Sequence, residues 1–410
     1  MLEPMTNFSN DLKNFNTSFS VGIQYFSVPF FLGIGGKIKQ SEEDFIVHEI
    51  LPNGIPIKDG SELGPSLGGM YTHCVLIKSG IDTFTAIKQI SQKLKISEKD
   101  IGYAGLKDAK AKTYQRISLW CTNISQISSL SIPNLQLINP IRQKFGIKIG
   151  DLSGNFFNIR IKDIQRAPCQ SEWNSFIKTL SVSGLLNYYG TQRFGSIRPV
   201  LHNIGKFLIQ KNYEEVIHEY IGHISPLESQ YITQLRKDFL NGLDLKKIFS
   251  AFPPKYSIER ILLAGLEKEW SPKQIVSRLP LSFLRLSISA YQSYIFNMVL
   301  NSLLDIEYKI TTGTLLPLPG FNTSSTNYPD VIWNNLITVL ESDSITLSDF
   351  RSLDKKLRSK GSERKSKILI NDFTIHTDNT MNDEEVNVSF SLPKGVYATI
   401  LTREITKVDN

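Results

Sequence analysis

The order of strand-like and helix-like segments limits the possible folds of this chain more than any other feature of its sequence. Residues 35–162 alternate short strand patterns with single helix patterns, residues 185–358 are mainly helical, and strand patterns return between residues 386 and 403. Short strands mixed with single helices favour an α+β fold with a mainly antiparallel sheet over a doubly wound one. Because chain ends often lie close together, we predict that the two strand-rich ends complete one sheet around an inserted lobe.

Individual segments support this order. Residues 72–77 and 114–121 alternate as half-buried strands do. Between them, Asp82 or Thr83 can cap a helix with an apolar stripe at helical spacing. Residues 157–162 alternate strictly, which predicts a strand with one polar, cationic face.

The second half of the chain gives three further predictions. Residues 287–304 form the longest helix candidate, and residues 386–392 and 397–403 have strand patterns. The segment Pro393-Lys394-Gly395 between these two predicted strands has the composition of a turn.

Composition narrows the class of partner. The 46 basic residues outnumber the 39 acidic ones by seven, and the pI is about 9.0, which favours RNA, DNA or an anionic membrane surface. The most apolar N-terminal stretch, residues 21–36, contains polar breaks and is shorter than the roughly 20 residues of a membrane span. Nucleic acid is therefore favoured over a membrane.

The three cysteines indicate the compartment. They lie dozens of residues apart without a Cys-x-x-Cys pair, so they predict neither a zinc ribbon nor a disulfide framework. A reducing compartment fits this pattern best. The six histidines have no metal-ligand spacing and are interpreted as structural.

Residues 102–113 are the densest candidate for chemistry. Gly102 and Gly105 permit a tight turn, and Asp108 then lies among three lysines. Nearby cations favour the ionised form of a carboxylate, so Asp108 could be a charged nucleophile or base. The alternative is a solvated turn in which Asp108 caps the next element.

This segment resembles the catalytic motif of the tRNA pseudouridine synthase D (TruD) family, in which an aspartate follows Ala-Gly-x-Lys. Further segments are similar to the family's elements in the family's order, and together they cover the chain from about residue 39 to residue 405: Lys39 with residues 43–49, residues 154–157, residues 187–195 and residues 393–399. Residues 196–200 and 290–294 look more like the archaeal and eukaryotic branch than the bacterial one.

The resemblance implies a pseudouridine synthase catalytic fold with a mixed, mainly antiparallel sheet, interrupted by an inserted α/β TRUD domain. The boundaries that we predict are residues 1–184 for the first part of the catalytic domain, 185–358 for the inserted domain and 359–410 for the last part. The implied activity is the isomerisation of uridine to pseudouridine in tRNA, at position 13 of the D arm. Such an enzyme needs no cofactor and no metal, and we expect a cytoplasmic monomer without an obligate protein partner.

The same resemblance assigns the site residues. Asp108 is the nucleophile, and Lys39 pairs with it or positions a phosphate or ribose nearby. Asn155 binds the flipped nucleotide or holds the loop that carries Asp108. Phe45, Phe157 and Tyr397 line the pocket. Tyr397 departs from the phenylalanine of bacterial members, and its hydroxyl could bond to the base or to Asp108.

Several alternatives stay open. The alternating strands that contain Phe45 and Phe157 are, by themselves, typical of core packing. The same chemistry could act at another RNA site, and a non-catalytic RNA-binding protein could retain the fold.

Two further segments also have two interpretations. Residues 187–195 could contact the RNA backbone or form a rigid hinge in which Arg193 pairs internally, with His202 and Asn203 as loop partners. Residues 355–367 hold seven Lys or Arg and one Glu, which fits either a solvated linker helix or an RNA contact.

Overall fold

The computed structural model describes residues 16–376 and 385–409, which divide into two compact units. Of the described residues, the sheet unit contains 27–185, 369–376 and 385–408, and the helical unit contains 186–368 together with 16–26 and 409. Each unit therefore combines segments that are distant in the sequence.

The strands and helices are as follows. The strands are β1 (Gly35–Lys37), β2 (Phe45–Ile50), β3 (Tyr71–Ser79), β4 (Ile101–Tyr103), β5 (Lys112–Trp120), β6 (Leu135–Gln143), β7 (Gly154–Ile164), β8 (Leu185–Leu186), β9 (Leu315–Leu318), β10 (Ser362–Lys365), β11 (Lys367–Ile368), β12 (Thr374–His376) and β13 (Val386–Pro393). The helices are α1 (Asn16–Ser20), α2 (Thr83–Leu94), α3 (Ile124–Ser128), α4 (Gln170–Val182), α5 (Leu201–Ile209), α6 (Tyr213–Gly222), α7 (Gln230–Leu240), α8 (Leu245–Ala251), α9 (Ser257–Glu267), α10 (Pro272–Val276), α11 (Leu281–Asp305), α12 (Asp330–Ser342), α13 (Leu347–Ser352) and α14 (Ala398–Thr406).

The sheet unit is built on one mixed sheet. Its strand order is β12-β13-β7-β2-β5-β3-β6, with β1 also paired to β7 and β4 to β5. The pairing of β2 with β5 is parallel, and the other pairings in this sheet are antiparallel. The predicted α+β class with a mixed, mainly antiparallel sheet is confirmed. The pairing of β13 with β7 also confirms that both strand-rich ends belong to one sheet.

The helix α2 covers one face of this sheet. Asp82 begins it as predicted, because its carboxylate accepts a hydrogen bond from the main-chain N–H of Thr85 at 2.9 Å. Its buried residues Ile87 and Ile90 pack in a core with residues of β3, β4 and β5. The periodicity that predicts the helix therefore also predicts which of its faces is buried.

One predicted strand is wrong. Residues 397–403 form the start of α14, with Tyr397 at the N-cap position. Thr399, Ile400 and Thr402 favour a strand by intrinsic propensity. Nearly the whole helix is nevertheless buried, so tertiary packing outweighs that propensity. The turn predicted at Pro393-Lys394-Gly395 is confirmed.

The helical unit is centred on α11, which extends the predicted helix 287–304 at both ends. The α5 helix packs closely against it, because a Cβ at Gly205 would lie 2.1 Å from the carbonyl oxygen of Ser287. Residues 362–365 of the basic tract form β10, which pairs with β9, so a linker helix over the whole tract is wrong. Across residues 16–376 and 385–409, the helices lack the combination of length and apolar character that a membrane crossing requires.

Candidate active site

Asp108 lies in the loop of residues 104–111, which connects β4 to β5 and is called the Asp108 loop below. Its carboxylate oxygen Oδ2 lies 2.6 Å from the ammonium of Lys39. The Asp108 side chain is 44% exposed, whereas that of Lys39 is 17% exposed. The pair therefore presents an oriented carboxylate to solvent and keeps most of the cation covered.

Lys39 is held in a restricted geometry. Its backbone has a φ of +57°, a left-handed conformation that costs an L-residue about 1–2 kcal/mol. Its ammonium lies 4.0 Å from the centre of the Phe45 ring, a distance at which a cation is attracted to an aromatic face. Backbone, ring and carboxylate together fix the position of the charge next to Asp108.

A buried ion pair lies beneath the Asp108 loop. The ammonium of Lys107 lies 3.3 Å from Glu49 Oε2 and donates to Asn155 Oδ1 at 2.5 Å. Sheet register brings the two acceptors together, because Glu49 and Asn155 are directly opposite on β2 and β7. Burial raises the pKa of Glu49 and lowers that of Lys107, and the opposite charges partly offset both shifts. The contact with Asn155 fits its predicted loop-holding alternative.

The main chain of the loop is held by two further side chains. Lys78, fully buried on β3, donates from its ammonium to the carbonyl oxygens of Asp108 at 2.7 Å, Ile81 at 2.8 Å and Lys107 at 3.3 Å. The hydroxyl of Thr83 accepts a hydrogen bond from Lys107 N–H at 2.9 Å. Burial lowers the pKa of Lys78 to about 8, against the opposing influence of nearby carboxylates. The main chain at residues 107 and 108 is therefore held in place by hydrogen bonds to the side chains of Lys78 and Thr83.

Gly102 has a different role from the tight turn that the sequence suggested. Neither Gly102 nor Gly105 has a left-handed φ. A Cβ at Gly102 would lie 2.3 Å from the carbonyl oxygen of Ile147 and 2.6 Å from Ser118 Oγ, so glycine is needed for close approach. The same segments meet again where Gly150 N–H donates to Ala104 O at 2.8 Å.

Two of the three predicted aromatic residues, Phe45 and Phe157, belong to the core in this structure. Phe45 is 2% exposed and Phe157 is 7% exposed, and their rings meet edge to face at 5.9 Å. Phe157 also stacks on Phe390 at 5.4 Å. Phe45 reaches the site through the Lys39 ammonium on its face. The lining of a substrate pocket by these rings stays a prediction.

Contacts link five of the six predicted site residues into one continuous group: Lys39, Phe45, Asp108, Asn155 and Phe157, with Lys107 completing the chain of contacts. Tyr397 lies further along the chain, at the start of α14, after the residues of β13 that pair beside Asn155. Its contribution to the site stays a prediction.

Sequence reasoning missed Lys78, Thr83 and the Glu49 partner of Lys107. A signal for Lys78 was present, because it follows Cys74 and Leu76 at the alternating positions of β3 that point into the core. A lysine at such a position is an exception that needs a polar partner.

A surface cavity of about 520 Å³ lies at the same end of β3 and β5 as the Asp108 loop. Its polar lining includes Lys112, which is paired with Glu43 at 2.9 Å, together with Ser79, Asn134 and Gln136. Among the described residues, no three His, Cys, Asp or Glu side chains are close enough to hold a metal ion.

In the helical unit, Arg193 pairs internally, as one interpretation of residues 187–195 predicted. It donates hydrogen bonds to the hydroxyls of Ser289 and Ser293 on α11. His202 lies against Phe194 of the same segment at 5.3 Å between ring centres, which fits its predicted role as a loop partner. Asn203 instead donates to Glu219 at 2.7 Å.

The basic tract 355–367 is divided between structural and exposed residues. Arg364 donates to Asn187 and lies 4.1 Å from the centre of the Tyr189 ring, so it is structural. Lys355, Lys356 and Lys360 are exposed. Only part of the tract can therefore offer its charge to a partner.

Comparisons with known proteins agree over the length of the chain. Residues 20–315 and 312–405 match the family model described as tRNA pseudouridine synthase D (TruD). A probable tRNA pseudouridine synthase D from Pyrococcus abyssi is 31% identical over 417 residues, which cover 92% of this chain and 97% of the relative. One from Pyrobaculum islandicum is 29% identical over 396 residues, with 91% and 92% covered. The crystal structure of the putative tRNA pseudouridine synthase D from Methanosarcina mazei matches with a TM-score of 0.75 and 27% identity, covering 96% of this chain and 98% of that one.

Proposed function

The chain belongs to the tRNA pseudouridine synthase D family, and from this membership we propose that it converts uridine 13 in the D arm of tRNA to pseudouridine with Asp108 as the nucleophile. The proposed enzyme acts as a cytoplasmic monomer and needs neither a cofactor nor a metal. The sheet unit is proposed to correspond to the catalytic domain and the helical unit to the inserted TRUD domain.

The reaction is an isomerisation without net oxidation or reduction. The bond between N1 of uracil and C1′ of ribose breaks, the base turns, and C5 forms the new bond to C1′. The proton on C5 is lost and N1 gains one, so atoms and charge balance. The target nucleotide must first leave its stack, because C1′ and the base are inaccessible inside a helix.

The observation that supports this proposal best is the oriented, accessible carboxylate of Asp108. Lys39 holds Oδ2 at 2.6 Å, and the fixed backbone below leaves the carboxylate 44% exposed to an incoming nucleotide. Because a reacting group that is held in place avoids the entropy loss of being oriented, this arrangement suits nucleophilic attack at C1′. The cavity beside Lys112 gives room for nucleotides that flank the target.

The test compares Asp108→Asn with Asp163→Asn on an unmodified tRNA transcript, in buffer that contains a chelator and no added cofactor. Asp163 is a matched control, because it is an exposed aspartate paired to Lys37 at 3.1 Å. Asp108→Asn is expected to form no pseudouridine while its tRNA affinity stays within about threefold, since phosphate contacts carry most of the affinity. Asp163→Asn is expected to behave as the wild type.

Mapping the modified position decides the remaining points. A transcript with cytidine at position 13 should stay unmodified. Modification elsewhere would show that the target assignment is wrong, and pseudouridine formed by clean Asp108→Asn protein would show that Asp108 is not the nucleophile. A wild-type protein that binds tRNA and forms no pseudouridine would be a binding protein of the same fold.

A further inference from the structure

We propose that Lys78 is a positioning residue for the reaction, whose buried ammonium holds the main chain at Lys107 and Asp108 so that the Asp108 carboxylate stays aimed at the substrate. The inference rests on the proposed function and extends it by Lys78, which is among the residues that line the cavity beside Lys112 and whose ammonium donates to main-chain oxygens rather than to the reacting atoms. It also predicts that the reaction needs the charge of Lys78.

The geometry is that of a cation enclosed by carbonyl oxygens. The Lys78 ammonium donates to three main-chain oxygens, at Ile81, Lys107 and Asp108, all between 2.7 and 3.3 Å away. An ammonium has three donors, so this set matches its full capacity. Two of the acceptors are the carbonyl of Asp108 and that of the residue before it, so any change at Lys78 reaches the backbone that carries the carboxylate.

A lysine at this place is costly unless it has a function. Lys78 has no exposed surface, and a buried charge carries a desolvation penalty unless it is well paired. Its neighbours along the inward side of β3, Cys74 and Leu76, are apolar core residues. An apolar residue here would remove the penalty and would also leave the loop carbonyls without their donor. We therefore attribute the lysine to the loop rather than to the core.

Four elements surround this ammonium, and their charges differ. Asp108 and Lys107 lie on the loop, and Asp82 lies at the start of α2; the two carboxylates favour the charged form and Lys107 opposes it. The strands β5 and β6 place Thr113 and Leu135, both uncharged, opposite Lys78.

Burial has the largest influence and lowers the pKa of Lys78 to about 8. The ammonium is then mostly present at neutral pH, and about a tenth of it remains at pH 9.

The effects of pH on activity and on stability have opposite signs at this residue. The pKa of Lys78 is lower in the folded protein than the ordinary lysine value of 10.5. Between about pH 8 and pH 10 the unfolded chain therefore binds more protons at this residue, so its contribution to the free energy of unfolding rises with pH. Activity should fall over the same range as the charge is lost. If Lys78 had only a structural role, activity would follow the free energy of unfolding and would not move in the opposite direction.

The experiment measures kcat and KM for tRNA between pH 6.5 and 9 in the wild type, Lys78→Met, Lys78→Arg and Lys93→Met. For the wild type we expect kcat to fall about tenfold between pH 7.5 and 9. Lys78→Met is expected to lose about 10²-fold in kcat at pH 7.5, with KM within about threefold, and to show no further fall up to pH 9. Lys78→Arg, which stays charged, should recover at least about tenfold of that loss and should also lack the fall.

Lys93→Met is the matched control, because Lys93 is an exposed lysine on α2 of the same unit. It should follow the wild type at every pH. Thermal unfolding and tRNA affinity are measured for each variant. If Lys78→Met does not fold, the test uses the wild type and Lys78→Arg alone. Their kcat profiles against pH, compared with urea unfolding over the same pH range, then show whether activity depends on the charge of Lys78.

The outcomes separate this inference from the proposed function. A wild type that forms no pseudouridine at any pH contradicts the proposed function and the inference with it. A wild type that is active and has a flat kcat up to pH 9, or that shares its decline with Lys78→Met and Lys78→Arg, contradicts the inference alone. A fall in activity that coincides with a fall in the unfolding free energy also overturns it.

Discussion

Two lysines near the start of the sheet, Lys37 and Lys39, show how neighbouring residues of one type can differ in function. Each pairs with an aspartate, Lys37 with Asp163 at 3.1 Å and Lys39 with Asp108 at 2.6 Å. The Lys37 side chain is 68% exposed, whereas that of Lys39 is 17% exposed and rests on Phe45. Exposed pairs contribute little, so only the second pair is expected to matter.

This contrast gives a prediction at the residue scale. Lys39→Met should lower kcat about 10- to 100-fold with a smaller change in KM, because the carboxylate loses the group that orients it. Lys37→Met should stay within about twofold in both constants. Steady-state kinetics on unmodified tRNA measure both variants. Equal effects of the two substitutions would show that the pair with Asp108 has no orienting role.

At this scale, the sequence predicts the residues that carry a motif and misses those that support it. Asp108 and Lys39 follow from the resemblance, and in the structure their side chains lie 2.6 Å apart. The roles of Lys78 and Thr83 could not be predicted, because their partners in the Asp108 loop are main-chain atoms of residues 24 to 30 positions away. A main-chain partner leaves no mark on the composition of either segment.

At the scale of elements, the position of the Asp108 loop depends on how closely β4 approaches the segment around Ile147. The Gly102 main chain passes so near the Ile147 carbonyl that no side chain fits between them. Since β4 leads directly into the loop, a shift of this strand would move Asp108 relative to Lys39 and Lys78.

Two glycine substitutions test this dependence. Gly102→Ala should lower the free energy of unfolding by about 1–3 kcal/mol, as overpacking does, because the new methyl group overlaps main-chain and side-chain oxygens. Gly105→Ala is the matched control for stability, because nothing lies within 4 Å of its added Cβ. Urea unfolding measures both. A Gly102→Ala protein as stable as Gly105→Ala would mean that β4 adjusts at little cost.

The elements themselves were predictable where periodicity decided them. The cap at Asp82 and the alternation of β7 follow from side-chain pattern. The presence of α11 was also predicted, but only over residues 287–304 of its full range Leu281–Asp305. The start of α14 did not, because Thr399, Ile400 and Thr402 favour a strand by intrinsic propensity, and tertiary packing of the buried helix outweighs that propensity. The same limit applies to Gly102, whose need for close approach depends on a segment 45 residues later.

At the scale of the whole molecule, the question is which of the basic side chains that give the excess of seven are paired internally and which are exposed to a partner. Some of the charge is internal, as with Lys78, Lys107 and Arg364, and these side chains cannot meet a phosphate without leaving their partners. Three exposed lysines of the basic tract, Lys355, Lys356 and Lys360, are different, since they lie close together in the sequence and carry no acidic neighbour between them.

The last prediction concerns this tract. Lys355→Gln, Lys356→Gln and Lys360→Gln, combined in one protein, should weaken tRNA binding and reduce the slope of log affinity against log salt by about 2–3, because each lost phosphate contact removes about 0.7–0.9 of slope. The catalytic constant at saturating tRNA should stay unchanged, since the Asp108 loop belongs to the sheet unit.

A control protein replaces Lys237, Lys246 and Lys247, which are also exposed in the helical unit, and so loses the same total charge. Filter binding between about 50 and 200 mM salt measures both. If both triple variants lose the same affinity, net charge alone attracts the RNA; if the first keeps its slope, the tract is a solvated surface and the helical unit contacts tRNA elsewhere.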